Sequence, residues 1–142
     1  MSPRTMARLL LTLAGIYDGV LGLLFLVAAP WAFSVCNIPV PTHWGYVHFG
    51  AALLLIFSLM FFSAAVYPAG NRNLIAFGML LKVAYCGTVG YHWANGGVPL
   101  VFTLFLLVDA VWFVVLGWIF WAMRPVKEIP AETPSAATAG TV

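Results

Sequence analysis

The chain has 142 residues, of which 63% are hydrophobic and only 7% charged, against roughly one quarter charged in soluble domains. This excludes a soluble globular domain, and 11 Phe, 6 Trp and 5 Tyr exclude a disordered chain, which is poor in such side chains. A formal charge of +2 with no basic stripe excludes nucleic acid as a partner, because neutralising phosphates takes clustered Lys and Arg.

Crossing a hydrocarbon core of about 30 Å takes about 20 mostly apolar residues, and four windows of the sequence are long enough. The first runs from about Leu9 to Ala29 and stops at Pro30. Arg4 and Arg8 ahead of it, and Ala28, Ala29 and Ala32 near its end, fit a cleaved leader. A leader's apolar region, however, spans roughly 7 to 15 residues, and this run is longer and carries Asp18, so it is expected to be the first spanning helix. The linker that follows holds Pro30, Pro39 and Pro41 with Trp31 and Trp44, the composition of a loop in the interfacial zone. The second window runs from about Tyr46 to Tyr67 and stops at Pro68; the third runs from about Asn73 to Trp93. Asn95, Gly96 and Gly97 predict a tight turn into the fourth, about Val98 to Met123. From Arg124 to Val142 the sequence turns rich in Pro, Ala, Thr and Glu and is expected to be a disordered tail. Short connections make consecutive helices antiparallel neighbours. The expected fold is therefore all-α, an antiparallel four-helix transmembrane bundle over residues 1–123.

Lys and Arg near span ends stay cytoplasmic. Arg4, Arg8, Arg72, Arg124 and Lys127 all fall on one side of the four windows, and the opposite loops hold no basic residue. Both termini are thus expected in the cytoplasm. Trp31, Trp44 and Trp93 then mark the outer interface, and Trp118 and Trp121 the inner one.

Three charges lie inside the windows. At about 1.5 Å per residue, Asp18 is about 14 Å in from Leu9, Lys82 about 14 Å in from Asn73 and Asp109 about 16 Å in from Val98. Each alone in lipid costs roughly 2.5 to 3.5 kcal/mol, so charges at one depth are expected to face inward and meet. Gly15, Asp18 and Gly22 share a face of the first span, and Gly15 and Gly19 form a G-x-x-x-G, the kind of seam that admits a neighbouring backbone. This favours Asp18 as the partner of Lys82. On the third span Gly78, Lys82, Tyr85 and Cys86 cluster, with His92 one heptad above Tyr85. Asp109 is surrounded by Phe105, Leu106, Trp112 and Phe113, so its nearest donor in sequence is the Trp112 indole. One cation for two acids leaves an odd carboxylate.

His43, His48, Tyr91 and His92 form a layer at the opposite end from the arginines, without the spacing of a metal site. A haem between His48 and His92 is geometrically conceivable, but no cofactor is expected. Cys36 and Cys86 form no C-x-x-C and are expected to remain separate thiols. No phosphate-cradling Gly loop, H-E-x-x-H or Ser, His and Asp set is present, and no span is broken by a central Pro as in many transporters.

The stretch Asn71 to Trp93 (NRNLIAFGMLLKVAYCGTVGYHW), with Tyr17-Asp18-Gly19 in the first span, resembles a group of small bacterial four-span proteins similar in layout to the DoxX-like membrane proteins. The resemblance implies a four-helix bundle in a bacterial inner membrane. Some DoxX-type proteins are tied to quinone-linked sulfur oxidation, but no catalytic residue of that activity matches here.

Two functional readings follow. The first is a non-enzymatic accessory or assembly module with lipid, and another membrane protein, as its partners, held by Asp18, Lys82 and Asp109. The alternative is a quinone-associated redox or proton-conducting subunit that also uses Tyr85, His92 and His48. A dry, closed cluster favours the first; a cavity open to lipid between helices, large enough for a quinone ring and lined by Tyr85 or Trp112, favours the second. Reporter fusions at the C-terminus are expected to read cytoplasmic, and a periplasmic readout would overturn the orientation.

Overall fold

In hydrocarbon no water is on hand for backbone N–H and C=O groups, so a spanning segment closes its hydrogen bonds on itself as a helix. The computed structural model describes residues 2–124; the tail expected to be disordered from Arg124 to Val142 lies outside them from residue 125 on, Lys127 included. Among the described residues are five helices and no strand: α1 (Pro3–Val27), α2 (Ala29–Val35), α3 (Gly45–Val66), α4 (Arg72–Gly96) and α5 (Leu100–Ala122). All but α2 are long and apolar enough to cross a membrane. The chain is an all-α membrane protein with four long helices.

The helix ends differ from the apolar windows for local reasons. α1 begins at Pro3, well before Leu9, because Ser2 caps it, its hydroxyl accepting from the Thr5 N–H at 3.2 Å, and because Pro suits the first helical turn. The interfacial loop expected from Trp31 to Gly45 is helical over its first third, Trp31 to Val35. Pro30 does not lead into coil but sits in the first turn of α2, whose Ala29, Ala32 and Phe33 are buried. α4 continues through Asn95 and Gly96, so the turn expected there shortens to Gly97, Val98 and Pro99. Gly97 ends the helix at φ 81°, its N–H donating to the His92 carbonyl at 3.1 Å, a left-handed conformation that glycine adopts without cost.

Helix C-termini leave carbonyls without intrahelical donors, and the start of α4 supplies two. Asn71 donates its amide to the Ser63 carbonyl of α3 at 3.1 Å. Arg72 donates from Nε and Nη2 to the Phe120 carbonyl of α5 at 3.1 and 2.9 Å, while lying over the Phe120 ring at 4.1 Å. This end also carries Arg4, Arg8 and Arg124, and is called the basic end below; the other is the histidine end.

α1 packs most extensively on α3, and α4 on α5. The α1–α3 contact rests on small residues. Ser58 donates to the Gly15 carbonyl at 2.7 Å in the space that Gly19 leaves open, and Gly22 lies against the Ala51 backbone. The two antiparallel pairs meet in a core at the basic end, where Leu11, Phe61, Ile75, Leu116 and Ile119 are fully buried. Gly78 admits the Phe61 ring against α4. Within each pair the chain turns at the histidine end, through α2 or through Gly97–Pro99, whereas the two pairs are joined to each other only at the basic end, between Val66 and Arg72.

A Cβ added at Gly22 meets the Ala51 carbonyl oxygen at 2.9 Å, backbone that yields only by moving a helix, whereas one added at Gly87 meets nothing. Gly22→Ala is expected to destabilise by about 1 to 3 kcal/mol, and Gly87→Ala to stay within about 0.5 kcal/mol of the parent. Thermal melts in detergent will measure both.

Candidate functional site

Halfway along the bundle the apolar core gives way to three ionisable side chains from three helices. Lys82 of α4 is 1% exposed, Asp18 of α1 0% and Asp109 of α5 6%. The Lys82 ammonium donates to Asp18 Oδ1 at 2.7 Å and stands 3.2 Å from Asp109 Oδ1. The three residues converge at one level, as their equal depth in the spans requires, and Asp18 holds the shorter contact.

The seam reasoning that favoured Asp18 is corrected in one respect. Gly15, Gly19 and Gly22 face α3, so the small-residue face brings α1 close to α3 and not to α4. Asp18 flanks that seam and reaches Lys82 around it. α3 contributes Ser58 to the same layer, with its hydroxyl occupied by the Gly15 carbonyl, and no charge. The cluster is therefore built from α1, α4 and α5 and braced from behind by α3.

Trp112 does not serve Asp109 as its nearest donor. Its ring lies 6.3 Å from that of Tyr17 and packs toward the basic-end core. Sequence reasoning missed Tyr17, whose ring stands 5.1 Å from the Lys82 ammonium and whose hydroxyl lies beside Asp109. The available signal was its position next to Asp18, about 100° around the helix, where one face meets α5 while the other meets α4.

Two carboxylate oxygens, Asp18 Oδ2 and Asp109 Oδ1, are buried and accept no hydrogen bond. Both acids border a cavity of about 840 Å³ that runs between the helix pairs from the cluster to the histidine end. Its walls are apolar and aromatic, with Phe25, Phe33, Phe102 and Phe105 among them, and its polar groups are few: Tyr17, Tyr46, Tyr85, Thr88 and His92 besides the two acids. Tyr85 donates to the Phe102 carbonyl at 3.4 Å, which fixes its ring as wall. Leu81 and Ala84 line both this cavity and a second, apolar groove of about 460 Å³ on the α3–α4 face.

The other sequence candidates lie apart from the cluster. His92 borders the far end of the cavity and stands edge-on to Tyr91 at 5.4 Å. His48 stacks on Trp44 at 6.5 Å and does not join His92 or the acids. Among the described residues no three His, Cys, Asp or Glu side chains are grouped as a metal site. The thiols are separate: Cys36 is exposed at the end of α2, and Cys86 donates to the Leu106 carbonyl at 3.6 Å.

Comparison of the chain with protein-family models, with curated proteins and with solved structures returns no match.

Removing one partner of a buried ion pair leaves an uncompensated charge, typically at a cost of about 3 to 5 kcal/mol. Lys82→Met is expected to lose about that much stability in detergent melts. Adding Asp18→Asn to Lys82→Met is expected to recover more of the loss than adding Asp109→Asn, since Asp18 holds the shorter, hydrogen-bonded contact. Strict additivity in both doubles would show that the charges act independently.

Proposed function

We propose that this chain is a membrane-embedded binding protein, which takes a lipophilic small molecule into the cavity between its helix pairs with the polar end of that molecule at the Asp18, Lys82 and Asp109 cluster. The observation that carries this reading is the meeting of two features in one place. The cavity is large enough for a ring-bearing ligand and apolar enough to compete with lipid, and it ends on buried carboxylate oxygens that accept no hydrogen bond. A cluster serving only as glue needs every polar atom satisfied from within.

A quinone is one molecule of suitable shape, its hydroquinone form supplying hydroxyl donors to the cluster, and Tyr85 in the wall supports the quinone-associated form of this reading. In the orientation set by the basic residues, with both termini in the cytoplasm of a bacterial inner membrane, the cavity lies in the outer leaflet. The accessory-module reading draws its support from the Lys82–Asp18 bond, which ties α4 to α1 in one register. The two readings are compatible in one protein.

Gly50 borders the cavity and has open space where a side chain would stand, so Gly50→Phe fills the cavity without touching the cluster. Decylbenzoquinone and the neutral 4-phenylbutanol are expected to raise the melting temperature of the detergent-solubilised protein, as any ligand of the folded state does, and to do so far less in Gly50→Phe. A shift from decylbenzoquinone alone selects the quinone-associated form. Equal shifts in both proteins, or none in either, would sink the binding reading.

A further inference from the structure

The charges around the polar end of the cavity do not balance. α1 contributes Asp18 and the Tyr17 hydroxyl, α4 contributes Lys82 and Tyr85, α5 contributes Asp109, and α3 contributes no charge. With both acids ionised, one negative charge is left over, and among the described residues no second cation stands beside it. His92 is at the opposite end of the cavity, and Arg72 is committed to the Phe120 carbonyl at the basic end.

The hydrogen-bond count tilts the same way. Asp18 Oδ2 and Asp109 Oδ1 are buried and accept no hydrogen bond, Asp109 Oδ1 having only the Lys82 ammonium at 3.2 Å beside it, on residues that are themselves more than nine-tenths buried and border the cavity. Of the donors in reach, the Lys82 ammonium is bonded to Asp18 Oδ1 and stands 3.2 Å from Asp109 Oδ1, the Tyr17 hydroxyl lies beside Asp109, and the Tyr85 hydroxyl is held by the Phe102 carbonyl, so none serves Asp18 Oδ2. A ligand whose head only accepts, such as a carbonyl or an ether, leaves these oxygens as they are. A head that donates and carries positive charge answers both deficits, and a charge-assisted hydrogen bond to a carboxylate is about twice as strong as a neutral one. The walls suit the same head, because aromatic faces such as Tyr17, which already stands 5.1 Å from the Lys82 ammonium, attract cations.

Resting on the binding reading above, we infer that the cavity selects lipophilic ammonium compounds: molecules with an apolar or aromatic body and a protonated amine, whose N–H groups donate to Asp109 and Asp18 and whose charge balances the odd carboxylate. The selected feature is the head and not the body. The wall is continuous hydrocarbon and ring surface with no polar group placed to read a particular skeleton between the cluster and Thr88 other than Tyr85.

Three probes with one body separate head from body: 4-phenylbutylamine, 4-phenylbutanol and 4-phenylbutyrate. They are titrated against the full-length protein in nanodiscs of zwitterionic lipid, with tryptophan fluorescence as the readout and Gly50→Phe to subtract partitioning into lipid. The amine is expected to bind about tenfold or more tighter than the alcohol, the step that one hydrogen bond to a charged group supplies, and the butyrate is expected not to bind. In Asp109→Asn, which keeps the neutral Lys82–Asp18 pair, the amine is expected to fall to the level of the alcohol measured on the same variant. Alcohol binding equal to or tighter than amine binding on the parent protein overturns the ammonium assignment and leaves the cavity reading standing. No binding of any of the three overturns both.

Discussion

The bundle is organised around the cost of placing Lys82 in the middle of a membrane helix. An ammonium there is tolerated only against an opposite charge inside the protein, and the sequence supplies two acids at matching depth on two other helices. α1, α4 and α5 must therefore converge at one level, and that requirement sets the rotation of each about its own axis. Once Asp18 is turned toward Lys82, the glycines at positions 15, 19 and 22 face α3, and the close α1–α3 pair follows. Once Asp109 is turned inward, Leu116 and Ile119, two and about three turns further on, enter the basic-end core.

Side-chain size decides what happens on either side of the cluster. Toward the basic end, alanines at positions 7, 14, 64 and 65 and Gly78 let the four long helices close around Phe61, Leu11 and Ile75. Toward the histidine end, the facing residues include Phe25, Phe33, Tyr85, Phe102 and Phe105, which hold the pairs apart instead of interdigitating. One half of the molecule is thus close-packed and the other encloses a cavity, with the ionic layer as the boundary. The polar groups are left with spare acceptor capacity on the cavity side, where a ligand can use it, and with an apolar seal on the other.

Much of this was legible in the sequence because the membrane simplifies the code. Length and hydropathy give the four spans, the arginines group their ends, and the expense of buried charge predicts that Asp18, Lys82 and Asp109 meet. Helix ends were less legible, since Ser2, Pro30 and Gly97 act through capping and backbone angle, which apolar windows do not register. The partner of the glycine face was misassigned for a related reason: helical spacing tells which residues share a face but not which neighbour that face meets. Tyr17 was invisible as a site residue because a tyrosine in an apolar helix reads as packing until the cation above its ring is known. The cavity was beyond sequence reasoning altogether, because it arises from the misfit between faces of different helices and belongs to no single segment. Arg72 was read for its charge, and its role in satisfying the Phe120 carbonyl depended on knowing that α5 ends beside the start of α4.

The connectivity of the chain has a mechanical consequence. The two helix pairs are covalently joined only at the basic end, through the short turn ahead of Arg72, and there Arg72 also clips α4 to α5. At the opposite end each pair is closed by its own turn and nothing ties one pair to the other along the chain. The molecule has the layout of tweezers: a close-packed grip, a pivot at Lys82, and two arms, of which α4 reaches about 21 Å beyond it, from Lys82 to Gly96 at 1.5 Å per residue. At that length, a splay of about 4° moves the tip by about 1.5 Å, roughly the length of one carbon–carbon bond. Rigid rotation of this kind would change the aperture at the tips while leaving the packing of the grip intact, and the charges at the pivot, close to the axis, would scarcely move.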